Sequence, residues 1–456
     1  MLNMRLSQAA AATGGLLVGQ DLAFGSVAID SRRLQGQPLF IALRGERFDG
    51  HDYLQQAQAG GAIALMLERP SPIDLPQLLV ADCRLALGQL AAAWRKASPA
   101  KVVGLTGSNG KTTLKEMLAC ILGQNGTPVL ATQGNLNNDI GVPLTLLRLR
   151  DEPLAVIEMG ANHGGEIAYL TRLARPDVAI LNNAGRSHLE GFGSLEGVAR
   201  GKGEIIQGLV EDGCFVYHFD SPWAALWRQL AAGKRRLGFG LAKGAEIRSP
   251  AQVETRWDAQ GFSSRFLVET PADSFEVQMA LAGEHNRLNA LAAIAACYCL
   301  GIPDAQVQQG LARIAPVPGR LHCRPLGSGF LLDDSYNANP ESLSAAIQVL
   351  RSAPGERILV LGDMAELGAD SASLHAEIGT KARAAGIDRL YAVGPLAQQA
   401  VEAFGPGAAH FSDQQALIQA LGQALRGSET LLVKGSRSSA MDRVVAALLP
   451  EKNSCC

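Results

Sequence analysis

The sequence predicts an α/β protein in three domains, and three observations carry that prediction. Its 456 residues correspond to about three domains at roughly 150 residues each. Short apolar runs alternate with helical patterns, as in mostly parallel sheets. One such run, at 102–105, opens into the glycine-rich turn TGSNGKTT at 106–113, and a helical pattern follows directly.

The first region, 1–97, shows short strands over 26–29, 39–43, 63–67 and 78–80, a proline-bounded loop over 70–76 and a helix over 85–94. Ala97-Ser98-Pro99 reads as a linker. In the second region, 98–315, strands over 102–105, 155–159 and 178–181 alternate with helices. After Thr113, Leu114, Met117, Leu118, Ile121 and Leu122 make one apolar helix face, with Gly126 near its expected end. Texture changes over 213–281, where period-2 runs at 262–268 and 275–279 suggest an antiparallel β extension. A helix over 286–300 closes the region. The third, 316–456, starts near Pro316-Val317-Pro318-Gly319, with strands over 330–333, 358–361, 390–393 and 431–433. Three of these run into Gly362, Gly394 and Gly435, a Rossmann-like punctuation that lacks a dinucleotide GxGxxG.

A net charge of −2 gives no electrostatic case for nucleic acid or a membrane surface. The eight cysteines fit no zinc or disulfide spacing, so most read as buried thiols in a reducing compartment, and Cys455-Cys456 reads as a frayed tail. Residues 1–20 contain no apolar stretch suited to export, and the apolar helix segment 290–300 is too short to span a bilayer. A cytoplasmic enzyme with no membrane insertion is expected.

The turn carries the chemistry. Gly107, Ser108, Asn109 and Gly110 let backbone N–H groups converge on phosphate oxygens, and the following helix N-terminus adds partial positive charge. Lys111 supplies a full charge and Thr112 a hydroxyl for Mg²⁺, with Thr113 completing the turn. The strict pattern has glycine five residues before Gly110, where Leu105 stands. The central domain is therefore expected to be a P-loop ATPase-type sheet. Ligands bind at strand ends in such sheets. One strand ends in Glu158-Met159-Gly160, and the next in Asn182-Asn183 leading to His188. Mg²⁺ needs few protein ligands beside phosphates and water, so Glu158 and Thr112 suffice for one ion. His188 alone is an unusual Mg²⁺ ligand, more readily a hydrogen-bonding side chain. The amide-rich loop at 134–143, with Asn135, Asn137 and Asn138, reads equally as a solvated turn or as a binding loop for sugar–phosphate or peptide. The loop at 333–340 is similar. Arg320 and the 434–437 segment offer cations for phosphates.

Together these motifs resemble the Mur ligase family over nearly the whole chain. The family's phosphate loop TGTNGKT[TS] is matched at 106–113 with Ser108 inside, which accounts for Leu105. GNLNN-x-IG-x-P is matched at 134–143, E-x-GA at 158–161, and G-x-HN-x-x-NALAA by Gly283, His285, Asn286 and 289–293. DDSYNANP is matched at 333–340, LGDM-x-ELG at 361–368 and KGSR at 434–437, and Asp30-Ser31-Arg32 and 48–51 look like a UDP-binding domain.

The resemblance implies a UDP-sugar on the first domain, ATP on the middle one, and a closing third domain that brings an amine. It implies adenine near Asn286 and Asn289, phosphates or ribose near Arg320 and Asp334, and uridine near Ser31 and Arg32. Asn135 and Asn137 fall near the muramoyl-peptide; Asn138, Asn337 and Asn339 join the substrate set. A second Mg²⁺ is implied on Lys202 as a CO₂-derived carbamate, with His188 facing metal; Gly201 stands where the family more often has alanine.

The implied reaction is ATP-dependent amide ligation through an acyl phosphate, with UDP-N-acetylmuramoyl-tripeptide and D-alanyl-D-alanine as substrates. It belongs to peptidoglycan precursor synthesis, hence to cell-wall biogenesis, cell shape and division, and a monomer is expected. The alternative is a sibling ligase of the diaminopimelate-adding or folylpolyglutamate type; the DNPR-like motif of diaminopimelate-adding members does not occur in the last region. A non-catalytic nucleotide-binding scaffold would be expected to lose Lys111 or Glu158, and both are present.

Overall fold

The computed structural model describes residues 3–449. Three principal sheets follow one another along the chain. The first has five strands in the order Leu16–Val18, Gln77–Leu79, Ala64–Leu67, Pro38–Ile41 and Ser26–Ala28, parallel except at its first pair. Helix Cys83–Ala97 then packs Leu87, Leu90 and Ala91 into an apolar core that runs without a break from Met4 to Ala231. Trp94 donates to the Leu149 carbonyl at 2.9 Å and Arg95 to that of Ala174 at 2.8 Å, so both sides of residue 97 share one core.

The second sheet has ten strands. Lys101–Thr106 lies between Leu154–Glu158 and Val178–Leu181, all parallel, in the register Ile157 to Gly104 and Ile180 to Leu105. Buried on both faces, these strands are continuous apolar runs. The antiparallel extension expected over 213–281 starts later. Cys214–His218, Arg235–Gly240 and Ile247–Arg248 extend the sheet in parallel; antiparallel pairing begins where Arg248 meets Glu269 and continues through Glu254–Asp258, Gly261–Glu269 and Ser274–Met279. The reason is visible in the residues: Phe215, Val216 and Tyr217 are consecutively buried, whereas 254–258 alternates between exposed and half-covered positions.

Helix Lys111–Leu122 stops at Gly123, before Gly126, which sits with φ +75° in a short turn beyond it. The third sheet orders His322–Leu326, Gly329–Asp334, Thr430–Lys434, Arg357–Gly362, Arg389–Val393 and Ala408–Phe411, parallel except at the first pair. No helix among the described residues is long and apolar enough to cross a membrane. The six cysteines described are free thiols; Cys455 and Cys456 lie outside the described residues.

Candidate functional site

The C-terminal ends of the central strands open onto a cavity of about 980 Å³, walled on its far side by the third sheet's loops. The phosphate loop forms its floor. Gly110 caps the helix in the left-handed region at φ +77°, and a Cβ there would overlap the Asn289 carboxamide. Glycine is required by both conformation and space. Asparagines brace the loop. The Asn109 N–H donates to Asn183 Oδ1 at 2.8 Å, and its carbonyl accepts from Asn182 and Asn183 at 3.0 and 2.9 Å. Asn339, from the third region, donates to Asn109 Oδ1 at 2.7 Å.

Lys111 folds back over this loop, donating to the carbonyls of Gly107 at 2.7 Å and Ser108 at 3.3 Å. Desolvation lowers its ammonium's pKa, Glu158 opposes that shift, and Arg320 adds to it. Glu158 is 2% exposed. Its Oε1 accepts from Asn137 at 2.8 Å, while its buried Oε2 has no hydrogen-bond partner among the described residues. A buried carboxylate oxygen left without a donor is costly and calls for a missing partner. Among the described residues no three His, Cys, Asp or Glu side chains gather into a metal cage. A lone carboxylate beside Thr112 is a sparse donor set of the kind that suits Mg²⁺ sharing its shell with phosphate and water. Arg320 approaches Thr112 Oγ1 at 3.5 Å and lies 4.0 Å over the Tyr336 ring.

His188 adopts φ +53° and its Nδ1 lies 2.7 Å from Glu366 Oε2, a residue of the third region itself at φ +62°. Burial lowers the imidazole pKa against the pull of Glu366. Lys202 is 1% exposed behind the cavity wall, 3.3 Å from the Ala161 carbonyl and 5.5 Å from the Phe192 ring centre. Burial first, then the Lys111 charge, pushes its amine down to about 7.

The other expected residues divide. Asn286 and Asn289 are buried on helix Glu284–Leu300 and linked at 3.2 Å, with Asn289 accepting from Asn182 at 2.8 Å. Asp334 pairs with Lys434 at 2.6 Å, and Lys434 also donates to the Asn337 carbonyl at 2.9 Å. Ser108, Thr113, Asn135, Asn138 and Asn337 line the cavity, and Asn138 Oδ1 also accepts from the Gly141 N–H at 2.8 Å within its own turn. Gly107 contributes its carbonyl to Lys111 and is not a wall residue. Ser31 and Arg32 lie outside the cavity: Ser31 bonds Gln56 at 2.9 Å, and the largely exposed Arg32 pairs with Asp30 at 2.9 Å. Tyr336, His285, Arg84, Asp139 and Tyr169 also wall the cavity, without a site role expected from the sequence. For Tyr336 the signal was its place inside the 333–340 motif.

Comparisons with known proteins agree along the whole chain. The Mur ligase family catalytic domain matches residues 24–95, the Mur ligase middle domain 105–297, and the Mur ligase glutamate ligase domain 319–437. UDP-N-acetylmuramoyl-tripeptide–D-alanyl-D-alanine ligase of Escherichia coli K12 is 48% identical, with all of both chains covered. A crystal structure of MurF from Acinetobacter baumannii superposes with a TM-score of 0.91 at 36% identity, covering 99% of this chain and 100% of that one. A Thermotoga maritima MurF structure in complex with ADP gives 0.83 at 31% identity, covering 93% and 96%.

Proposed function

The chain belongs to the Mur ligase family, and from that premise we propose how its residues divide the work. It is an ATP-dependent ligase that joins D-alanyl-D-alanine to UDP-N-acetylmuramoyl-tripeptide in cytoplasmic peptidoglycan precursor synthesis. It acts as a monomer. The first domain, 1–97, holds the UDP-substrate, with Ser31 and Arg32 toward uridine. The central domain, 98–315, holds ATP. The third, 316–456, receives the amine. The observation that carries the reading is the Lys111 cradle beside the partnerless Glu158 oxygen.

A carboxylate at neutral pH is a poor electrophile. Its oxygen attacks the γ-phosphorus of ATP, ADP departs, and an acyl phosphate with a good leaving group results. Two anions meet in that step. Lys111 and the loop N–H groups stabilise the charge that develops, and Arg320 lies within reach of the phosphates. Asn286 and Asn289 face the adenine, while Asp334 faces phosphate or ribose. The D-alanyl-D-alanine amine then attacks the carbonyl, loses a proton, and phosphate leaves. Asn135, Asn137 and Asn138 serve the peptide side; Asn337 and Asn339 serve the amine side. Water would destroy the acyl phosphate, so the third region's loops over the cavity have a chemical purpose.

Thr112, Glu158, His188 and a carbamate on Lys202 would hold two Mg²⁺ ions, which supply charge neutralisation for the transferring phosphoryl group. The unpartnered Glu158 oxygen supports this, as does a Lys202 amine near 7, since neutral amine reacts with CO₂.

The test is a competition assay: ATP, the UDP-tripeptide, and D-alanyl-D-alanine against meso-diaminopimelate or glutamate. Amide formation on the dipeptide is expected. Faster formation on a single amino acid overturns the reading.

A further inference from the structure

Cys214 and Cys299 are 85 residues apart in the chain, yet their sulfurs meet at 2.8 Å, the Cys299 thiol donating to Cys214 Sγ. Cys214 opens strand Cys214–His218 of the central sheet, and Cys299 lies in the last turn of helix Glu284–Leu300, which packs on that strand. Both belong to one apolar cluster, so the core holds the two sulfurs together. Cys214 is buried, while Cys299 is partly exposed and brings the pair within reach of solvent. Neither residue lines the cavity, which lies at the opposite, C-terminal ends of the strands.

The other described thiols are unlike this pair. Burial pushes Cys83, Cys297 and Cys323 up to about 12 and raises Cys120, which keeps them protonated and unreactive. Cys214 shifts the other way. The hydrogen bond from Cys299 lowers its pKa, burial opposes, and the charge of Arg235, its partner on the adjacent strand, lowers it further. Cys299, as the donor, moves up.

We propose that Cys214 and Cys299 are a modification site, forming a reversible disulfide with hydrogen peroxide as the oxidant. The Cys214 thiolate attacks one peroxide oxygen. The O–O bond breaks, hydroxide leaves and takes back the proton the thiol had given up, and a sulfenic acid stands on Cys214. The Cys299 sulfur then attacks Cys214 Sγ. Its S–H proton goes to the departing oxygen, the S–O bond breaks and water leaves. Two thiols lose two electrons, and one peroxide is reduced to two waters. A dithiol reductant restores both thiols by exchange. The cross-link closes a span of 85 residues, so it restricts the unfolded chain and leaves the cavity as it is.

The test treats the full chain with a slight excess of hydrogen peroxide, alkylates the remaining thiols under denaturing conditions and maps the digest without reduction. A cross-linked Cys214–Cys299 peptide that dithiothreitol removes is expected, with Cys83, Cys120, Cys297 and Cys323 alkylated. The oxidised protein should melt about 5 °C or more above the reduced one. Cys299→Ser should keep its basal turnover and lose both the peptide and the shift. Cys214→Ala should lose both as well, which separates a missing cross-link from a packing defect peculiar to one variant. Absence of the Cys214–Cys299 peptide overturns the inference. So does oxidation spread alike over the other described thiols, or a Cys299→Ser melt that rises with peroxide as the unaltered protein's does.

Discussion

Two lysines, Lys111 at the start of helix Lys111–Leu122 and Lys434 at the end of strand Thr430–Lys434, show how the central and third regions differ. Lys111 and Lys434 both line the cavity, and burial lowers the pKa of both ammonium groups. Lys434 is paired with Asp334 at 2.6 Å and holds the Asn337 carbonyl at 2.9 Å. Lys111 makes no ion pair among the described residues; its contacts are the carbonyls of its own loop. The third region neutralises Lys434 with its own Asp334. The central region leaves a cation and a carboxylate oxygen to be completed by a ligand. A cluster of conspicuous charges is therefore a poor guide to function until one asks which of them are already paired.

Substitutions can break or sharpen that contrast. Lys111→Ala should lower kcat by about 10²–10³ while the urea midpoint stays put, because its partner arrives only with the substrate. A folded variant with near-normal turnover would remove the ATP-site assignment. Lys434→Met should act chiefly on the fold. It strands the buried Asp334 carboxylate and should cost roughly 3–5 kcal/mol in urea unfolding, much of it recovered by adding Asp334→Leu. Asn339→Ala should cost about 1 kcal/mol, because Asn339 caps helix Pro340–Arg351 through the Ser342 N–H at 2.9 Å. It also cuts the strap to Asn109, so the KM for ATP should rise in steady-state assays.

The smallest effect is a pH slope. Burial and the Lys434 charge push the His285 imidazole down to about 4. The unfolded chain takes up that proton near 6.5, the folded chain only near 4. Stability therefore falls as pH drops through that window. His285→Gln should melt with a shallower acid slope than the unaltered protein, and identical slopes would discard the assignment.

The parts legible in sequence share one property: short-range physics dictates them. Strand Val178–Leu181 is a continuous apolar run and was read at its true bounds. The phosphate loop is fixed by glycine conformation and a following helix. Cys214–His218 is a continuous apolar run too, but it adjoins the alternating runs of 254–279, and a texture read over 213–281 as a whole hides its parallel character. Leu16–Val18 was missed: three residues at a sheet edge, two of them exposed, carry no periodicity to read. Pairings distant in sequence left no local trace. The Arg84–Asp139 pair spans 55 residues, the Asn109–Asn339 strap 230, and the His188–Glu366 contact joins different regions. Asn138 combines both readings of its motif, lining the cavity while its Oδ1 accepts the Gly141 N–H.

The central claim is that the tripeptide carboxylate is activated as an acyl phosphate over the Lys111 cradle. The most direct measurement uses UDP-tripeptide labelled with ¹⁸O in that carboxylate, with ATP and D-alanyl-D-alanine, and mass analysis of the phosphate released. The account predicts one ¹⁸O in each phosphate formed per amide bond. Amide formation with unlabelled phosphate would contradict it.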